Sequence, residues 1–201
     1  MPWLLVTVST AAASASTRVL VWRRLRGLGA VYLQQAVCLL PDVAVVRNDV
    51  DRLLDRVRDE GGSGRLLEVQ LRDQREQDQL VGEFQKAADA EYADLLERIP
   101  GFLDELVTER ARGRATLVEV EENEADLDRY RRWLAKIQAR DYFHAPLGPQ
   151  AQAELDRCSL ALEHFERDAF AAETGAPLTP TGSIAASGGV GALAARTEEP
   201  S

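Results

Sequence analysis

Acidic residues are missing from the first 41 positions; Asp42 is the first. Four arginines, Arg18, Arg23, Arg24 and Arg26, lie in that span, and the remaining 20 basic and 33 acidic residues carry −13, against a net charge of −9. An acidic whole excludes a general, nonspecific grip on nucleic acid, while an acid-free amino-terminal part leaves room for a local anion-binding face. Cysteine is nearly absent too. Cys38 and Cys158 form neither a metal motif nor a disulfide framework, and read as buried free thiols in a cytosolic protein. The only histidines, His144 and His164, have no second histidine or cysteine at ligand spacing, so no metal site and no cofactor is expected. The chain lacks a G-x-S-x-G elbow and a G-x-x-x-x-G-K-[ST] loop, which removes the commonest hydrolase and phosphate-cradling signatures. It also lacks a run near the ~18 apolar residues of a membrane span. The opening MPWLLVTVSTAAASAS has no preceding positive residues and does not read as a signal peptide, so a cytoplasmic location is expected. After Glu173 large apolar residues almost disappear, and residues 173–201 are expected to be a disordered tail.

What is present organises itself around Thr17 to Pro41. Val19, Val21, Trp22 and Leu25 recur at mixed spacings of three and four, predicting a helix with a broad apolar face. Ser16 or Thr17 is placed to cap it, and Leu28-Gly29 to stop it. AVYLQ and AVCLLP then read as two short strands. Trp3 to Val8 reads as an earlier strand, and residues 42–59 as a helix carrying Val46, Val50, Leu53, Leu54 and Val57. Gly61-Gly62-Ser63-Gly64 reads as a turn and RLLEVQL as a fourth strand. This βαββαβ order predicts an α+β fold: a ferredoxin-like domain over residues 1–72, with both helices on one face of an antiparallel sheet.

From Asp73 the period turns helical and stays so to residue 172. Leu80, Phe84, Ala88, Tyr92, Leu95 and Ile99 form one stripe, interrupted at Pro100-Gly101. A short helix with Phe102, Leu103, Leu106 and Val107 follows, then long helices over Ala115 to Arg140 and Pro149 to Ala172. Their 3–4 spacing predicts that the helical region ends in an antiparallel helical hairpin.

The run RVLVWRRLRGLGAVYLQQAVCLLP resembles the N-terminal domain of the chromate resistance protein ChrB, and more distantly the middle domain of the phenylacetate-operon repressor PaaX. The shared pattern is R-x-x-x-W-R-x-L-R-x-L-G-A followed by a strand pair ending near proline, and the likeness continues through EYADLLERI and RRWLAKIQARDYF, covering roughly residues 3 to 172. It implies a regulator of a bacterial chromate-efflux operon. ChrB proteins continue into a further C-terminal domain where this chain has its low-complexity segment, so any sensing done there does not carry over.

Two basic groups are candidate sites. Arg18, Arg23, Arg24 and Arg26 are candidates for contacting DNA phosphates; the plainer alternative is pairing with Asp51, Asp55 or Asp59 of the next helix. Arg129, Arg132, Lys136 and Arg140 step by 3, 4 and 4 along one helix face and are candidates for holding chromate or another oxyanion. Their alternative is pairing with Asp156, Glu163, Glu166 or Asp168. The metal-dependent nucleases of CRISPR adaptation share the predicted fold and need an aspartate at the end of the first strand, but Thr7, Val8 and Ser9 stand there. The expectation is a non-enzymatic, DNA-binding transcriptional regulator, dimeric through an exposed sheet edge and the helical seam. The competing expectation is an accessory or scaffold protein of the chromate-resistance system that binds a protein instead of DNA.

Overall fold

The computed structural model describes residues 2–175; most of the segment expected to be disordered, residues 176–201, lies outside them. The first half runs β1 (Trp3–Ser9), α1 (Ala15–Gly27), β2 (Val31–Gln34), β3 (Val37–Pro41), α2 (Ala44–Asp59) and β4 (Ser63–Val69). The strands form one antiparallel sheet in the order β2-β3-β1-β4. Side chains alternate across it, as a period of two requires. Leu4 and Val6, registered on Leu40 and Cys38, face one helical layer. That layer buries Val21 and Leu25 of α1 and Val46, Val50, Leu53, Leu54 and Val57 of α2. Trp3 and Leu5 face the other way, with Leu39 and Val69.

Three local details differ from the sequence expectation. Ser14, not Ser16 or Thr17, caps α1: its Oγ accepts from the Thr17 amide at 3.2 Å. Thr17 is 1% exposed and donates its hydroxyl to Glu60 beyond the end of α2, so it is committed to a tertiary contact. The glycine run is not one turn. Gly61, at φ +82°, turns the chain, but Ser63 and Gly64 already pair with Ser9 and Val8 in β4. A Cβ on Gly64 would stand 2.5 Å from Leu54 Cδ2 and 2.9 Å from the Thr7 carbonyl, so its absence lets α2 lie close on the sheet. Finally, α1 buries a narrower face than its composition suggests. Val21 and Leu25 point inward, while Val19 and Trp22 are 46% and 49% exposed.

The second half is helical: α3 (Gln74–Leu96), α4 (Ile99–Ala111), α5 (Leu117–Gln138) and α6 (Gly148–Thr174). Asp73 caps α3, accepting from the Glu76 amide at 2.9 Å while the Glu76 carboxylate accepts from the Arg72 amide. Pro100 lies in the first turn of α4, where its missing N–H costs nothing, so the break falls at Glu97-Arg98. The helical core gathers the predicted stripes: Tyr92, Leu95 and Ile99 meet Leu127, Leu134 and Ile137, and Leu155, Cys158, Leu162 and Phe165. The seam that was expected to need a second chain is covered within this one, with Leu155, Leu162 and Phe165 at most 4% exposed.

The amino end of α3 also covers the second face of the sheet. Leu80 and Phe84 pack on Trp3 and Leu39, with Phe143 closing the cluster. The segment after α5 braces this arrangement. Tyr142 donates to the Leu28 carbonyl at 3.0 Å, Gln85 donates to the Phe143 carbonyl, and Asp89 accepts from the Leu147 amide.

The two thiols sit in different cores, Cys38 under α1 and Cys158 in α6, at 1% and 0% exposure. Burial pushes Cys38 up to about 12, and burial followed by Glu154 pushes Cys158 up to about 11. The thiolate is the reactive form. A disulfide-exchange reagent at pH 8 should therefore titrate no thiol in the native chain and two after denaturation; a fast native reaction would contradict the burial. The sign for stability follows. Below pH ~9 the thiols are protonated in both states, and as pH climbs toward the folded values the unfolded chain alone loses these protons, so stability declines.

Candidate functional site

Thr17, Val21 and Leu25 fix which side of α1 meets the core, and the arginines fan out around the rest. Among the described residues none of the four forms an ion pair. The expected partners on α2 are occupied locally or left alone: Asp55 pairs with Arg58 at 2.7 Å, while Asp51 and Asp59 pair with nothing described. Asp49 and Glu60 likewise pair within or next to α2, with Arg52 at 3.2 Å and Arg56 at 3.0 Å. Neighbours three and four residues away on one helix are reached before a second helix is.

The four arginines do not form one cluster. Arg23 and Arg24 line a groove of about 430 Å³ between α1 and α2, where Arg52 and Arg56 join them. Asp49 is the one acid in its lining, and Leu20, Leu28 and Leu53 supply the apolar part. Arg18 lies on the opposite flank, in a smaller recess of about 140 Å³ with Trp22 and Tyr32. Arg26 stacks over the Trp22 ring, 5.2 Å from its centre. Burial raises the Tyr32 hydroxyl, Cys38 adds to this, and Arg26 counteracts it. Trp22 and Tyr32, which share that recess, are 49% and 38% exposed beside β2, an edge of the sheet.

The second basic group is dispersed. Arg129 pairs with Asp126 at 2.8 Å and lies over Tyr130, 5.6 Å from the ring centre. Arg140 falls beyond the end of α5, where it pairs with Glu91 of α3 and donates to the Lys136 carbonyl. It is a brace between α5 and α3, packed also against Gly29. Only Arg132 and Lys136 remain exposed without an ion pair among the described residues. The expected acidic partners on α6 are engaged elsewhere: Asp168 holds Arg110 at 2.5 Å, and Asp156 accepts from Gln152. Glu166 instead faces Glu124, and burial followed by that like charge raises its carboxyl. A raised carboxyl contributes stability at low pH that is lost as pH rises through its folded value. Glu166→Gln should thus melt higher than the parent at pH 7, with the difference shrinking toward pH 4. A gain that persists undiminished at pH 4 would mean the side chain acts sterically.

Arg52 and Arg56 line the groove beside Arg23 and Arg24, and sequence reasoning passes over them. Their i,i+4 spacing was visible, but only packing shows that this pair turns toward α1.

The family model described as "Protein ChrB, N-terminal" matches residues 18–176. Protein ChrB of Cupriavidus metallidurans is 29% identical over 155 residues, 76% of this chain and 43% of that protein. The chain thus matches less than half the length of that relative. No solved structure matches.

Proposed function

From the premise that this chain belongs to the ChrB N-terminal family, we propose that it is a non-enzymatic, DNA-binding regulator linked to chromate resistance. The observation that carries this reading is the outer flank of α1. Arg18 and Arg26 stand exposed without acid partners among the described residues, in a part of the chain that has no acid before Asp42. Unpaired guanidinium groups pay little to turn toward phosphate oxygens, which they bind in bidentate fashion. Trp22 beside Arg26 adds a flat apolar contact. The order β1-α1-β2-β3-α2-β4 with sheet order β2-β3-β1-β4 supports reading the first half as ferredoxin-like, and the joint core of α5 and α6 supports a helical hairpin. The open β2 edge is the surface through which the homodimer would form. The non-enzymatic part of the reading rests on both thiols being buried and held protonated, and on His164 being bonded to Arg167.

A second reading has its own observation. Trp22 and Tyr32 expose apolar surface next to an unpaired strand edge, which suits an accessory protein that binds another protein. Gel-shift titration across salt concentrations separates the two, because phosphate-driven binding falls steeply with salt.

A further inference from the structure

We infer that the groove between α1 and α2 is a binding site for a small phosphate-bearing organic anion of about nucleotide size. It is separate from the DNA face proposed above. Its lining brings four guanidinium groups, Arg23, Arg24, Arg52 and Arg56, around one carboxylate, Asp49. Two of them, Arg23 and Arg24, form no ion pair among the described residues. The other two hold their acids only at the surface: the Arg52 and Asp49 side chains are 77% and 38% exposed, those of Arg56 and Glu60 61% and 33%. Exposed pairs of this kind are worth little, so both arginines exchange partners at small cost. So concentrated a positive charge calls for a ligand with more than one negative charge, and the planar forks of arginine match phosphate.

Size and surroundings select a small molecule over a duplex. A groove of about 430 Å³ falls within the ~300–1,000 Å³ usual for small-ligand sites. The exposed Asp51 and Asp59 of α2, which form no ion pair among the described residues, lie outside the lining and would repel a long polyanion laid across the helix. A compact ligand stays within the arginines and never reaches them. Leu20, Leu28 and Leu53 give the groove an apolar surface that bare phosphate would leave unused. The ligand class is therefore a phosphate ester or diphosphate with an apolar body.

Gly27 makes the site testable without disturbing the fold. It lines the groove at the end of α1, and a Cβ built on it meets nothing within 4 Å. A larger side chain there projects into the cavity, and replacing glycine in a helix favours the helix. Isothermal titration calorimetry of the full chain against ADP and against pyrophosphate at low salt is the experiment. Both should bind one per chain, ADP more tightly because it also covers the leucines. Gly27→Leu should melt at or above the parent temperature and weaken ADP at least about tenfold, as should Arg24→Ala with Arg52→Ala, since each removed guanidinium takes charge-assisted bonds with it. Duplex DNA binding should be unchanged in Gly27→Leu. No heat with either probe, or ADP affinity unaltered in both variants, overturns the inference. So does loss of duplex binding in Gly27→Leu, since the groove would then belong to DNA. Should ADP bind and be blocked by Gly27→Leu while the parent chain itself binds no duplex, the DNA reading fails and the groove assignment stands.

Discussion

Trp3→Ala is expected to lower the unfolding free energy by about 4 kcal/mol, near the upper end for a fully buried aromatic. Trp3 is 0% exposed although it stands at the start of β1. Its ring stacks on Phe84 of α3 with centres 5.6 Å apart, and tilts against Phe143 at 5.5 Å; those two lie 5.3 Å from each other. The indole Nε1 donates to Gln77 at 3.0 Å. Truncation therefore empties the centre of a three-ring cluster that ties the sheet to α3 and to the segment after α5. It also leaves the Gln77 oxygen without its donor. Trp3→Phe keeps most of the ring contact and should cost roughly half as much, losing volume and one hydrogen bond. Urea unfolding followed by circular dichroism measures both. The expected result is a lower midpoint at an unchanged denaturant slope. A loss under about 1 kcal/mol for the alanine variant would show that the second face of the sheet is not held by this cluster.

That cluster marks where sequence reading stopped. Trp3, Phe84 and Phe143 are far apart in the chain, and each reads locally as an ordinary apolar position. Periodicity shows that α3 has an apolar stripe but not that its first three turns lie on a sheet while the rest joins a helical core. What was legible was whatever a single element decides. Val46, Val50, Leu53, Leu54 and Val57 lie on one side of α2, and all five are buried. Leu155, Cys158, Leu162, Phe165 and Ala169 do the same on α6. What failed depended on a second element. Trp22 was counted with the buried face of α1, yet the edge position of β2 leaves nothing beyond Tyr32 to cover it. Arg140 continued the basic stripe of α5 by spacing, yet the helix ends first and Glu91 claims it. Of the acidic partners proposed for the α1 arginines, Asp55 is reached first by Arg58 of α2 itself, and Asp51 and Asp59 pair with nothing described.

Replacing Arg18 and Arg26 together by alanine is expected to weaken duplex DNA binding by at least about tenfold at low salt, since two charge-assisted contacts are lost. The more telling quantity is the salt dependence. Each lost phosphate contact should lower the slope of log affinity against log salt by about one, so the double variant should lose about two. Stability should hardly move. Neither guanidinium has an ion-pair partner among the described residues, and Arg26 gives up only an exposed stacking contact with Trp22. This choice of pair follows from the structure, which places Arg18 and Arg26 on the flank away from the α1–α2 groove. Arg132→Ala with Lys136→Ala supplies the comparison: these are also exposed and unpaired, but on the far helical region, and their loss should leave the salt slope unchanged. Equal losses in both double variants would point to diffuse electrostatic attraction with no particular face. Unchanged affinity and slope in the Arg18 and Arg26 variant, in a chain that still melts normally, would remove DNA from the outer flank of α1. The exposed Trp22 and Tyr32 beside the β2 edge would then be better explained as a surface for a protein partner.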